Sequence, residues 1–173
     1  MQDMLPPPII DVEASGFGAA SYPIEVGLVL GDGQSFCSLI TPAPAWKHWD
    51  ASAENVHGVS REILLLHRKP ADDVAREVNG RLRGKSVYCD SWYHDFTWLN
   101  RLFDAGDSVQ AFQLEDIRSL LIQAEADVWN ETKLRVIVEL NLSRQRASND
   151  AKLLQTTLLR VKLGTSERQL SEM

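Results

Sequence analysis

The sequence predicts an α/β domain built around a mixed β-sheet. Its first part contains three strand-like segments, and its second part alternates helix, strand, helix, strand and helix. Between the second and third strands, Gly31-Asp32-Gly33 is typical of a tight hairpin turn, which makes those strands antiparallel neighbours. With 173 residues and 44% hydrophobic content, residues 1–173 have the length and composition of a single domain.

Short apolar segments rich in branched residues mark the strands. The predicted strands are residues 8–16, 22–30, 34–40, 86–89 and 109–114. Residues 42–58 form a long connection between the third strand and the first helix, and loops of that length inside a compact domain tend to be functional.

Helix-spaced apolar residues and end signals mark the helices. Ser60 is typical of an N-cap, while Pro70 and Gly84 are typical of the start and the end of a helix. The predicted helices are a short one after residue 60, then 70–84, 94–105, 117 to 128 or 129, and 149–163. Residues 134–142 fit a strand or a helix, and the polar residues 164–173 are expected to fray, which leaves a core of about 8–163.

The composition limits the classes of function. No apolar run approaches the ~20 residues of a membrane span, and the first residues lack the features of a signal peptide, so we expect a cytoplasmic protein without a membrane partner. Cys37 and Cys89 lie in apolar segments, which favours buried thiols over a disulfide. A net charge of −6 argues against broad non-specific binding of nucleic acid, yet it is compatible with an enzyme that takes only a strand end through bound metal.

The first strand ends in two carboxylates, Asp11 and Glu13. Side chains two residues apart on a strand point to the same face, so these groups project together and repel each other. A cation would neutralise them, and oxygen-rich carboxylate clusters suit Mg²⁺ or Mn²⁺. The alternative is a strand end that meets solvent.

Two further acids, Asp95 and Asp150, fall at the starts of predicted helices. Each taken alone is explained by helix capping and by the helix dipole, which favours negative charge at that end. Taken in order with the first strand, however, they resemble a known family, the DEDD 3′–5′ exonuclease superfamily. The likeness is to the DEDDh-type branch that contains RNase T, oligoribonuclease and the proofreading subunit of bacterial DNA polymerase III.

Three shorter marks support this resemblance, which covers roughly residues 8–160. They are Ile24-Glu25-Val26-Gly27, Val56-His57-Gly58-Val59-Ser60 and Leu114-Glu115-Asp116. The resemblance implies an RNase H-like fold, a five-stranded mixed sheet flanked by helices, and a hydrolase that releases nucleoside 5′-monophosphates from the 3′ ends of single-stranded DNA or RNA or of short oligonucleotides. It also implies a possible homodimer.

The same resemblance implies two divalent metal ions, Mg²⁺ or Mn²⁺, and a set of site residues. Asp11 would bridge both ions, Glu13 and Asp150 would help to hold the first, and Asp95 would hold the second through water. Backbone N–H groups would grip the terminal nucleotide, and side chains near them would contact its base or sugar. The expected substrate contacts are Ala14, Ser15, Gly16, Phe17, His57 and Val59.

One position departs from the pattern of the branch. The histidine that serves as general base lies five residues before the last aspartate, and Gln145 stands there in this chain. Glutamine cannot accept a proton near neutral pH. Three explanations remain open: a weakened or inactive natural protein, a His→Gln substitution, or a replacement base such as His94. The four intact acids favour the substitution. Two other functions stay open as alternatives to the exonuclease: a non-catalytic 3′-end-binding protein and a plain interaction module.

Overall fold

The computed structural model describes residues 5–141 and 146–171. Five strands form one mixed sheet in the order β3-β2-β1-β4-β5, with β2 antiparallel to both β1 and β3, and β4 parallel to both β1 and β5. The strands are β1 Ile9–Ala14, β2 Pro23–Val29, β3 Ser35–Leu39, β4 Ser86–Cys89 and β5 Gln113–Asp116. The predicted α/β class with a five-stranded mixed sheet is confirmed.

Helices flank both faces of this sheet. They are α1 Ala51–His57, α2 Arg61–His67, α3 Ala71–Leu82, α4 Trp92–Ala105, α5 Gln123–Leu140 and α6 Ala147–Ser171, with a 3-10 turn at Ile117–Leu120 before α5. Within the described ranges, none of these helices combines the length and the apolar character that crossing a membrane requires.

The residues of β1 alternate between two faces of the sheet. Ile10 and Val12 pack in an apolar core on the face covered by α3 and α4. The buried side chains that the two helices add to this core are Val74, Ala75, Val78, Leu82, Leu99, Leu102 and Phe103. Ile9 packs on the opposite face under α6, and Asp11 and Glu13 follow it on that same face because strand side chains alternate.

Gly27 on β2 allows α6 to lie directly on the sheet. A Cβ atom at this residue would lie 2.0 Å from the backbone nitrogen of Ser148 and 2.2 Å from the carbonyl carbon of Ala147. Any larger residue would therefore push the start of α6 away from the strand. This contact brings Asp150, in the first turn of α6, to the face that carries the β1 carboxylates.

The fifth strand begins later than predicted, at Gln113 instead of Val109, and the side chain of Asn79 explains the difference. Its Nδ2 donates to the carbonyl of Val109 at 2.9 Å, and its Oδ1 accepts the N–H of Ala111 at 2.8 Å. These bonds hold the segment as a loop, and Val109 is exposed. Pairing with β4 begins only at Gln113.

The predicted connection at 42–58 contains a helix that the sequence analysis missed. Asp50 caps α1 by accepting the N–H of Ser52 at 2.8 Å, and Gly58 ends it in the left-handed region at φ 68°. The helix buries only Ala53 and His57, so it has no apolar period from which it could be recognised.

The helices near the C-terminus also differ from the prediction. Residues 117–120 form a 3-10 turn, and α5 begins only at Gln123 but continues to Leu140, which settles residues 134–140 as helix. The helix α6 extends to Ser171, beyond the predicted end at residue 163, and the fraying of residues 164–173 stays a prediction. Thr165 is buried in this extension, and its hydroxyl donates to the carbonyl of Val161 at 3.0 Å.

Candidate active site

Three carboxylates from two distant parts of the chain meet at the end of β1. Asp11 and Glu13 of β1 and Asp150 of α6 each offer one oxygen, and these oxygens lie within 4.8 Å of one another. Each of the three residues is partly buried. Mg²⁺ binds oxygen at about 2.1 Å, so opposite ligands of one ion lie about 4.2 Å apart. The cluster is therefore close to the size that one divalent cation requires.

Asp95, in the first turn of α4, is the most buried of the predicted acids, at 1% exposure. Burial raises the pKa of Asp95 to about 7, and hydrogen bonds from Cys89 and from the backbone of Ser91 offset part of that rise. Its Oδ2 atom has no hydrogen-bond partner among the described residues. A buried carboxylate oxygen without a partner is costly, so this atom suits a cation or water bound to one.

The charges of these acids act on one another. Burial raises the pKa of Asp11 well above its usual range, with further increases from Asp95, Glu13 and Asp150. Burial also raises the pKa of Glu13 to about 7, and Asp150 and Glu25 add to that rise. A divalent cation would remove this repulsion, and an all-oxygen donor set fits Mg²⁺ or Mn²⁺. The residues present thus fit the metal site that the sequence predicts.

The sequence analysis did not identify Asp90 as part of this region. Asp90 follows β4, and its charge adds to the rise in pKa of both Asp11 and Asp95. Lys133 of α5 holds its Oδ2 at 2.7 Å, and Arg118 lies 3.5 Å from its Oδ1. Lys133 and Arg118 are both remote from Asp90 in the sequence, so no local motif indicated that Asp90 belongs to this region.

Ser15 differs from what was expected of the segment after β1. Its N–H donates to the carbonyl of Tyr22 at 2.9 Å, and its Oγ accepts the N–H of Tyr22 at 3.1 Å. In this conformation the N–H of Ser15 is already donated to Tyr22, and its donation to a nucleotide stays a prediction. Gly16 lies against His48, where a Cβ atom would come within 2.3 Å of Cε1 of the ring.

The side chains expected near the base differ sharply in exposure. Phe17 is 65% exposed, whereas His57 and Val59 are buried. The Nδ1 atom of His57 accepts the N–H of Val59 at 3.1 Å, the ring packs edge-on against Trp49, and burial lowers the pKa of His57. Phe17 is thus the one of these three side chains that can meet a ligand without a change in the loop, while His57 and Val59 are packed inside the protein.

Solved structures of exonuclease I resemble this chain in fold. The apo form has a TM-score of 0.54 and 11% identity, over 65% of this chain and 29% of that chain. The product-bound form has the same TM-score and identity, over 65% and 30%. Escherichia coli exonuclease I in complex with a dA16 oligonucleotide has a TM-score of 0.54 and 10% identity, over 72% and 29%. The sequence matches no protein-family model and no curated protein.

The likeness is one of fold. At identities of 10–11%, the shared mixed sheet and flanking helices are what the comparison shows. The chain also spans less than a third of the length of these exonucleases, as the 29–30% coverage shows. Their activity is therefore not transferred by the comparison itself and has to be argued from the carboxylates.

The general-base position, Gln145, lies outside the described residues. The candidate replacement base, His94, is exposed on α4, where its ring stacks on Trp98 with a centroid distance of 5.4 Å and meets Tyr93 edge-on. Asp95, the next residue, points inward and is buried. Consecutive helix residues point about 100° apart, so His94 lies on the exposed side of the helix while Asp95 lies on the buried side.

The tryptophans mostly pack against other residues of the chain. Trp129 is buried, Trp46 stacks on Tyr22, and Trp98 donates to the hydroxyl of Ser21 at 2.9 Å. Trp92 differs because it remains 39% exposed and stacks on Phe96 with a centroid distance of 5.0 Å. Together with the exposed Tyr93, Trp92 and Phe96 form an aromatic surface on α4, next to Asp95 in the sequence.

Proposed function

We propose that the chain is a divalent-metal-dependent 3′–5′ exonuclease that acts on single-stranded nucleic acid. The observation that carries the proposal is the carboxylate cluster of Asp11, Glu13 and Asp150, with the unpartnered oxygen of Asp95 beside it. The cluster lies on a fold shared with exonuclease I, one solved form of which holds a dA16 oligonucleotide. An acidic cluster alone would not suffice, but this cluster and Asp95 together are the four acids that carry the resemblance to the DEDD superfamily.

The four acids have separate tasks in this proposal. Asp11, Glu13 and Asp150 would hold one divalent cation, Mg²⁺ or Mn²⁺, and Asp11 and Asp95 would hold a second. When bound, such ions lower the pKa of water and stabilise the leaving 3′-oxygen of a phosphodiester. The chain contributes the arrangement of the oxygens in a partly buried site. The pKa values of Asp11, Glu13 and Asp95 are raised there because their negative charges are unfavourable, and a bound cation would compensate them.

The terminal nucleotide would be held by the segment after β1. Phe17 offers an exposed ring on which a base can stack, and stacking tolerates any base. Backbone N–H groups of Ala14 and Gly16 remain the proposed donors to the nucleotide, since that of Ser15 is taken by Tyr22. A single strand is the proposed substrate because an unpaired terminal base is free to turn and stack on a protein ring.

Gln145 makes the proposed enzyme a weak one. An amide cannot take the proton of the attacking water, and the loss of a positioned base typically costs about 10²–10⁴-fold in rate. Restoring a histidine at this position should return that factor if the rest of the site is intact. The substitution Gln145→His is therefore the most direct test of the proposed chemistry.

The experiment is the digestion of a 5′-labelled single-stranded oligonucleotide in Mn²⁺ by this chain and by Gln145→His. We expect a ladder that shortens stepwise from the 3′ end, faster by at least about 10²-fold for the histidine variant. Asp11→Asn in both backgrounds is the control for a contaminating nuclease, and EDTA should stop the reaction. Internal cleavage, or cleavage that persists in the Asp11→Asn variants, would contradict the proposal.

A second candidate function is a non-catalytic protein that binds 3′ ends. The glutamine at the general-base position favours it, because such a site could hold metal and a strand end without cutting. This candidate predicts Mn²⁺-dependent binding of an oligonucleotide with a free 3′-hydroxyl, weaker binding of the same oligonucleotide with a 3′-phosphate, and no cleavage by Gln145→His. Cleavage by that variant would eliminate it.

A further inference from the structure

Glu25 is a buried acid to which the proposed chemistry gives no role. It lies on β2, where it is fully buried and pairs in register with Glu13 of β1. Antiparallel partners point to the same face, so Glu25 lies beside the carboxylate cluster without belonging to the three oxygens that come together.

Both oxygens of Glu25 bind the start of α6. Oε2 accepts the N–H of Ala147 at 2.8 Å, and Oε1 lies 2.7 Å from Nε of Arg146. Arg146 immediately precedes the helix, and its carbonyl accepts the N–H groups of Asn149 and Asp150 at 2.8 and 3.2 Å. One side chain of the sheet therefore holds both the capping residue and the first residue of α6.

The position of Asp150 follows from these contacts. It lies three residues after Ala147, which is less than one helical turn, so a fixed first residue also fixes its carboxylate. Gly27 lets the same turn approach β2 closely, and Arg146 reaches β3, where its Nη2 lies 3.5 Å from Sγ of Cys37. Two strands thus determine the position of the helix end.

The positive charge of Arg146 compensates the buried negative charge of Glu25. Glu25 adds to the rise in pKa of Glu13, so an unpaired charge there would increase the repulsion within the cluster. The guanidinium of Arg146 balances that charge, and the N-terminal end of α6 is itself favourable for an anion. The pair therefore holds the helix in place and leaves the net charge of the cluster nearly unchanged.

We infer that Glu25 and Arg146 form a positioning pair that fixes the start of α6, so that Asp150 completes the cation site with Asp11 and Glu13. The inference rests on the proposed function, since the cation site is the one proposed above. Neither member of the pair touches the cation or the substrate in this assignment. Both act through the position of Asp150.

The chain offers a matched control in Glu125, a second buried glutamate that binds α6. Its Oε2 accepts the N–H of Ile122 at 2.9 Å and lies 2.7 Å from Nζ of Lys162. Lys162 is twelve residues beyond Asp150 on the same helix, about 18 Å along its axis. Glu125 thus has the same chemistry and the same helix partner, at the end that carries no acid of the cluster.

The test compares Glu25→Gln with Glu125→Gln in the full chain, by thermal unfolding and by the dissociation constant for Mn²⁺ alone from calorimetry. Both variants should unfold at lower temperature, because each loses an ion pair whose carboxylate is buried. Only Glu25→Gln should weaken Mn²⁺ binding, by at least about tenfold, which is the size reported for groups that orient metal ligands. Equal Mn²⁺ affinities in the two variants would overturn the inference.

Two further measurements keep the test decisive. Amide exchange in residues 147–151 should be faster in Glu25→Gln and unchanged in Glu125→Gln, which tests the anchoring without metal. If Glu25→Gln does not fold, Arg146→Lys replaces it, with a smaller loss of Mn²⁺ affinity expected and an unchanged affinity contradicting the inference. Absence of Mn²⁺ binding by the unsubstituted chain would overturn the proposed function together with the inference, whereas normal binding by Glu25→Gln overturns the inference alone.

Discussion

The two faces of the sheet obey different physical rules. The face under α3 and α4 is packed with apolar side chains, and each fully buried Val or Leu stabilises the fold by about 1.5–3 kcal/mol. On the face under α6, the same strand β1 continues from the buried Ile9 to Asp11 and Glu13, whose pKa values are raised by burial. Both faces bury apolar side chains that stabilise the fold, but on the α6 face the carboxylates reduce that stability near neutral pH unless a cation is present. Substitutions on the two faces should consequently have opposite signatures.

The largest effect is expected for Asp11→Asn on the carboxylate face. Measured in the Gln145→His background with Mn²⁺, the substitution should lower the rate of 3′ shortening by about 10³-fold or more, because this acid contacts both proposed ions. At pH 8 without metal, the same substitution should raise the melting temperature, since it removes a buried charge from a repelling cluster. Asp72→Asn, at an exposed ion pair on α3, should change neither quantity appreciably. A lower melting temperature for Asp11→Asn would show that repulsion among the carboxylates on this face does not destabilise the folded protein.

The opposite signature is expected for Leu82→Ala on α3. Leu82 is fully buried in the apolar core, and such truncations cost about 2–5 kcal/mol of unfolding free energy because they leave a cavity. The activity per folded molecule should stay within about twofold, since the site lies at the end of β1 and on other elements. Urea unfolding gives the first number, and activity measured well below the midpoint gives the second. A proportionate loss of activity would mean that the two faces are coupled.

The sequence predicted the fold well where local pattern and packing agree. The bounds of β4 match the prediction of residues 86–89, because a short apolar run between Gly84 and a helix has one plausible structure. The fifth strand was misplaced because the amide of Asn79, 30 to 32 residues away, holds the segment from Val109 to Ala111 as a loop. Propensity favoured a strand there, and a tertiary contact overrode it.

The residues of the candidate site likewise fall into two groups, those that the local sequence predicts and those that depend on distant parts of the chain. Asp11 and Glu13 could be paired from the sequence because period two is a local rule, and the order of the acids suggested Asp95 and Asp150. Asp90 and Glu25 were not recognised as part of the site. Their significance depends on partners far along the chain, and only the folded chain brings those cations to them.

A pH titration of stability should separate the two faces further. The pKa of Glu13 is raised from the ordinary 4.5 to about 7, so the folded state binds a proton more tightly than the unfolded state. Without metal, the proton on Glu13 therefore stabilises the folded state fully below about pH 4.5. This stabilisation is lost as the pH rises through about 7. The loss relative to Glu13→Gln should be about 1–3 kcal/mol, measured by urea unfolding between pH 4.5 and 8.

Metal should reverse that trend. Because Mn²⁺ binds the deprotonated cluster, its stabilising effect should be larger at pH 8 than at pH 5 in the unsubstituted chain. Glu13→Gln should show a smaller Mn²⁺ effect at both values. Parallel pH profiles for the two proteins without metal would mean that Glu13 is solvated in the folded state and that its repulsion is relieved without a cation.

The smallest effect is expected for Phe17→Ala, which separates substrate contact from both faces of the sheet. Phe17 is 65% exposed, so its removal should leave the melting temperature and the Mn²⁺ affinity unchanged. If a base stacks on its ring, KM for a single-stranded oligonucleotide should rise about fivefold or more, corresponding to about 1 kcal/mol of lost stacking. Tyr93→Ala is the matched control, since that ring is 73% exposed on α4 beside Trp92 and Phe96. An increase in KM for Tyr93→Ala alone would move the base-binding surface from the segment after β1 to the aromatic surface of α4, while equal increases would indicate a strand that crosses both.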